Sequence, residues 1–153
     1  MHIIVKIGKV EKEEISKNYF NKMTKTRIAL IQMKMSSDPK KNMNSAIKKI
    51  KEAYKKKAKV VCLPELFLSN YFCQQEKHSN FNFAEKIPGK TTNILCSLAK
   101  ETKIIIIAPI FEKKTSGIYH NSCVIINEKG KLVGKYRKMH IPDDPQYYEK
   151  FYF

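Results

Sequence analysis

A chain of 153 residues with 42% hydrophobic and 10% aromatic residues is the size of one domain and has the apolar material for a core, so a globular fold is expected. Its longest apolar runs, such as residues 104–110, are far too short to cross a bilayer, and no basic-then-apolar leader opens it. That excludes a membrane protein and leaves the cytoplasm as the expected compartment. The net charge of +16 raises nucleic acid as a partner, but residues 1–60 hold 17 Lys/Arg against 5 Asp/Glu while residues 61–153 hold 13 against 9. The basic excess therefore sits in front. Only Arg27 and Arg137 are arginines, the side chain that reads base edges as a bidentate fork, so no nucleic-acid partner is expected.

Residues 1–25 are polar and without periodicity, and they read as an irregular N-terminal extension. Met23 stands just ahead of the first strong strand and is a second candidate start. Ile28-Ala29-Leu30-Ile31 is an unbroken apolar run, the pattern of a central strand buried on both faces. Asp38 is placed to cap a helix with Pro39 at its first position, where the missing N–H costs nothing. Along that helix Ala46, Ile47, Ile50, Ala53 and Tyr54 form the inner face, and Lys48, Lys49, Lys51, Lys55 and Lys56 the wet one. Val60-Val61-Cys62-Leu63 is a second buried strand that stops at Pro64, and the two strands are expected to share one sheet. The long aromatic loop over 69–89 is of the length that often lines a pocket. A second helix over 91–102 turns Ile94, Leu95 and Leu98 inward. Strands over 104–111, 122–126 and 131–137 follow as a meander, with Glu128-Lys129-Gly130 as the tight turn before the last.

The order β-α-β-loop-α-β-β-β defines an α/β fold with a mixed sheet. Glu65 directly follows a buried strand and a proline, where ligand crevices open in such sheets, and a partly desolvated carboxylate there has the raised pKa a general base needs. Alone it reads more readily as a solvated loop residue. Lys138 also follows a strand, among His140, Asp143, Asp144 and Glu149. The four cysteines, Cys62, Cys73, Cys96 and Cys123, are widely spaced with no zinc-ligand pattern, so no metal is expected, and each reads first as a small buried hydrophobe.

Taken together, Cys62-Leu63-Pro64-Glu65-Leu66-Phe67, Asn70-Tyr71-Phe72-Cys73-Gln74, the Tyr119-His120-Asn121-Ser122 strand entry and Tyr136-Arg137-Lys138-Met139-His140-Ile141-Pro142 resemble the nitrilase superfamily of carbon-nitrogen hydrolases. Asp143-Asp144-Pro145 leading into Tyr148-Glu149-Lys150-Phe151-Tyr152-Phe153 is similar to the branch that hydrolyses N-carbamoylputrescine. The resemblance runs from Lys25 to Phe153. It implies that residues 26–153 are the N-terminal part of a nitrilase-like α-β-β-α sandwich, incomplete here, with helices on one face of the sheet. It implies Glu65 as general base, Lys138 as the oxyanion-stabilising cation and Glu149 as a supporting carboxylate, with Tyr71, Asp143 and Asp144 as candidates for the substrate's distal ammonium.

The implied reaction is thiolate attack on a ureido or amide carbon, then hydrolysis, with no cofactor, in a homo-oligomer. The family's nucleophilic cysteine lies beyond the Glu149 region, so the expectation is a truncated chain inactive alone. Cys73 is the one alternative nucleophile. A second reading is a non-catalytic fragment that serves as an interaction partner, its uncovered sheet driving association.

Overall fold

The computed structural model describes residues 26–153, so the expected extension over 1–25 and the alternative start at Met23 lie outside the described residues. Five strands form one sheet in the order β1 (Ile28–Leu30), β2 (Val60–Cys62), β3 (Ile105–Thr115), β4 (Ile118–Ile126), β5 (Leu132–Arg137). The first three are parallel and the last two run antiparallel to their neighbours, giving a mixed sheet.

Helices α1 (Pro39–Lys55) and α2 (Lys90–Thr102) supply the crossovers that parallel pairing demands. Asp38 caps α1 through its side chain, which accepts from the Lys40 N–H at 2.8 Å, and Pro39 opens the helix. Its buried positions, Asn42, Met43, Ala46, Lys49, Ile50 and Ala53, recur every three or four residues. That phase corrects two expected positions: Lys49 faces inward, and Tyr54 is 52% exposed.

Both helices cover the same face of the sheet. Ala29, Ile31, Val61, Leu63, Ile106, Ala108, Ile110, Val124 and Ile126 join Ile50, Leu95 and Leu98 in one core. Strand residues alternate between faces, so Ile28, Leu30, Cys62, Ile107, Cys123, Ile125 and Tyr136 point the other way. On that side Leu30 is 53% exposed and Tyr136 59%. The expectation that β1 is central and buried on both faces is therefore corrected. It is the edge of the described sheet, and only one face is covered.

One end of the open face is covered. Phe111 is buried there against Tyr152 and Phe153, with ring centroids 6.3 and 5.1 Å apart, and Phe72 and Phe81 from the long loop join them. Tyr152 belongs to the short helix α3 (Glu149–Tyr152), and its hydroxyl donates to the Gln75 carbonyl while accepting from the Lys77 N–H at 3.0 Å and Asn80 Nδ2 at 2.9 Å. The short α3 packs at this end of the open face, and the aromatics of the 69–89 loop, which includes a 3-10 helix over His78–Phe83, pack a second core, with Phe81 and Phe83 also lining cavities as expected of the loop. The turn into β5 is as expected: Gly130 has φ of 73° and donates to the Asn127 carbonyl at 2.9 Å.

Candidate active site

Pro64 ends β2, and Leu66, at φ of 48°, bends the chain sharply, leaving Glu65 between them on a turn beside the open face. Its Oε1 accepts from Asn121 Nδ2 at 2.6 Å. Asn121 stands on β4 opposite Phe111, so its side chain emerges on the open face. Lys138, the first residue past β5, donates its main-chain N–H to the Asn121 carbonyl at 2.8 Å. Its Nζ lies 2.7 Å from Glu149 Oε2 and 3.6 Å from Glu65 Oε1. Tyr71 donates its hydroxyl to the other Glu149 oxygen at 2.7 Å. One chain of polar contacts thus runs Asn121, Glu65, Lys138, Glu149, Tyr71, and the three residues put forward from motif order are all in it.

The members differ in exposure. Glu149 is buried, its side chain 5% exposed, and each of its oxygens has one donor. Glu65 is 47% exposed, so the described residues do not supply the desolvation expected for it. Its Oε2 accepts no hydrogen bond from the described residues, which leaves that oxygen free to take a proton. Burial alone would push the Lys138 ammonium down; the hydrogen bond to Glu149 and the charge of Glu65 outweigh it, and the net direction is up. The lysine is held as a cation. Burial first, then the bond to Glu149, raises the Tyr71 phenol, which stays a donor. A fixed cation beside an exposed carboxylate can stabilise a developing oxyanion while the carboxylate takes a proton.

Beneath this chain, on the helix-covered face, lies an ion cluster that sequence reasoning did not find. Glu112, 3% exposed, accepts from Lys135 Nζ at 2.7 Å, from Arg137 Nε and Nη2 at 2.8 Å each, and from the Ser122 hydroxyl at 2.6 Å. It ties β3, β4 and β5 together at the residues next to Asn121 and Lys138. The Arg137 hydrogen bond is the main reason its carboxyl lies well below the usual range; burial opposes, and Lys135 and Ser122 add to the fall. Asn121 and Glu112 were missed as site residues because both act across strands, through a register no local pattern prints.

The remaining candidates fall elsewhere. Asp143 pairs with Lys150 at 3.1 Å, both exposed, and the Asp144 carbonyl accepts from the Tyr147 N–H at 2.9 Å in a turn. Neither aspartate joins the polar chain. Cys73 is fully buried, and burial first, then the charge of Glu149, pushes its thiol up to about 12. A buried thiol shifted in that direction is a poor source of thiolate near neutral pH, so the alternative nucleophile is disfavoured. Among the described residues no group of three or more His, Cys, Asp or Glu could hold a metal ion, and no helix is long and apolar enough to cross a membrane.

A mixed α/β sheet with a carboxylate, lysine and second carboxylate gathered at the strand ends is a hydrolase-like arrangement. Residues 27–153 match the carbon-nitrogen hydrolase family, and the chain belongs to it. It is 40% identical over 131 residues to an N-carbamoylputrescine amidase of Oryza sativa subsp. japonica, covering 85% of this chain and 43% of that protein. It is 39% identical over 121 residues to a human omega-amidase, covering 79% and 42%. The crystal structure of a carbon-nitrogen hydrolase from Helicobacter pylori G27 superposes with a TM-score of 0.78 at 38% identity, over 82% of this chain and 43% of that one. An amidase from Nesterenkonia sp. shares the fold, at 20% identity and a TM-score of 0.66, over 90% and 51%. The chain spans less than half the length of the curated relatives it matches.

Proposed function

We propose that this chain carries the base and the oxyanion-stabilising lysine of a carbon-nitrogen hydrolase acting on N-carbamoylputrescine, releasing putrescine, carbon dioxide and ammonia. The observation that carries the reading is Lys138 held between two carboxylates, one buried and one exposed. Glu65 deprotonates a thiol and then a water; Lys138 receives the negative charge of each tetrahedral intermediate; Glu149 keeps the ammonium in place. Tyr71 sits on Glu149, which makes it first a support of that carboxylate and secondly a wall of the substrate site. Asp143 and Asp144 take no part in this reading, because their contacts lie in an exposed turn. The ureido substrate is supported by the named rice relative, and a simple amide is the alternative that the omega-amidase likeness supports. Homo-oligomeric assembly and a cytoplasmic setting belong to the same proposal.

The test is ammonia release from N-carbamoylputrescine and from butyramide by the protein purified from its native cells, against Glu65→Gln and Lys138→Met forms. Loss in both variants is expected, and activity surviving in both overturns the reading. The recombinant 153-residue chain alone is expected to release none, since Cys73 is fully buried and burial pushes its thiol up. Hydrolysis by that chain which disappears in Cys73→Ser would overturn this second part.

A further inference from the structure

Glu65 and Lys138 are oppositely charged, both partly exposed, and form a loose ion pair at 3.6 Å rather than the close hydrogen-bonded pair their charges would favour. Lys138 does make such a pair, at 2.7 Å, with Glu149. The oxygen of Glu65 nearest the lysine is the one that Asn121 holds at 2.6 Å. Asn121 is itself firmly placed: it is 6% exposed, its carbonyl accepts the Lys138 N–H at 2.8 Å, and the next residue, Ser122, is bonded to the Glu112 cluster that also grips Arg137. Glu65, on a turn and half-exposed, has no comparable support of its own.

We propose that Asn121 is a positioning residue of this site, its side chain holding Glu65 off Lys138 while its main chain anchors Lys138, so that one residue sets the spacing of base and cation. A neutral amide is the donor such a task calls for. It restrains the carboxylate without cancelling its charge, whereas a close hydrogen-bonded pair with Lys138 would neutralise the cation meant for the oxyanion. Lys138 is left with Glu149 as its contact partner and Glu65 as a near neighbour, so its charge stays available to a reacting atom placed between them. The role rests on the proposed use of Glu65 and Lys138, but the spacing itself is measured without substrate.

The experiment is proton exchange of the Lys138 ammonium, followed by NMR on the full chain labelled with 15N-lysine, in the parent, Asn121→Ala, Ser122→Ala and the Asn121→Ala/Glu65→Gln double variant. Exchange proceeds through the free amine, so a tighter ion pair slows it. Closing the gap from 3.6 Å to contact, discounted for solvent, should slow exchange about three-fold in Asn121→Ala. The double variant should lose that slowing. Ser122→Ala should lower the melting temperature and leave the Lys138 rate unchanged, which separates positioning from general loosening. Asn121→Leu, similar in size without a donor, gives the same readout if the alanine form does not fold. An unchanged or faster rate in both Asn121 variants, or slowing that persists without Glu65, overturns the proposal. Failure of the hydrolysis assay would strike the proposed function and leave this spacing intact, and the reverse also holds.

Discussion

Glu112→Gln removes the charge from a carboxylate whose side chain is 3% exposed and bonded to Lys135, Arg137 and Ser122. Breaking one side of a buried ion cluster costs about 3–5 kcal/mol where the orphaned charges stay buried. Here Lys135 and Arg137 are 30% and 34% exposed, so water compensates them in part. Glutamine also keeps one acceptor, and the expected loss falls to about 2–3 kcal/mol, or roughly 6–12 °C in melting temperature for a domain of this size. The pH dependence gives a sharper check. The folded carboxyl lies below its unfolded value, so its stabilisation is complete above about pH 4.5 and is lost as the pH falls toward the folded value. Urea unfolding of parent and variant should therefore show a constant gap from pH 7 to about 5. Below that the gap should narrow by up to about 1.4 kcal/mol per pH unit. A gap under about 0.5 kcal/mol at pH 7, or one equally wide at pH 3.5, would refute the assignment of Glu112 as the ionised clamp of β3, β4 and β5.

Two further perturbations probe the frame. Gly130→Ala should cost about 2–3 kcal/mol, because a Cβ at φ of 73° would lie 2.4 Å from the Cys96 carbonyl oxygen, whereas Gly117→Ala, with φ of 74° and nothing within 4 Å, should cost only about 1. Equal urea midpoints for the two variants would contradict this. Iodoacetamide at pH 7.5 should leave Cys73 unmodified while the partly exposed Cys62, Cys96 and Cys123 react, as peptide mass mapping will show; labelling of Cys73 in the folded chain would contradict its sealed position.

What the sequence made legible was mostly local. Asp38-Pro39 announced a helix start because a cap and a fixed φ act within three residues, and Glu128-Lys129-Gly130 announced a turn for the same reason. An apolar run says only that a strand avoids water. It cannot say what covers each face, so Ile28-Ala29-Leu30-Ile31 has the pattern of a central strand although it edges the described sheet with one face open. Glu65, Lys138 and Glu149 stand out through motif order, and the structure sets the Lys138 ammonium 2.7 Å from Glu149 and 3.6 Å from Glu65. Asn121 and Glu112 do not, because a bond from Asn121 to Glu65 or from Arg137 to Glu112 depends on strand register. Asp143 and Asp144 drew notice by charge alone, and charge in a turn more often meets solvent or a neighbouring lysine than a ligand.

The open sheet face has an electrostatic consequence. Glu65 and Lys138 stand at its rim, where water now reaches both, and water weakens their interaction roughly four-fold relative to the protein environment of a covered pair. A layer packed on Leu30, Ile125 and Tyr136 would also strip solvent from that rim. The same two charges, unmoved, would then act across a lower dielectric on any developing oxyanion. Covering that face would thereby raise the electrostatic strength of the pair through the medium between the charges, with no change in the positions of the groups themselves.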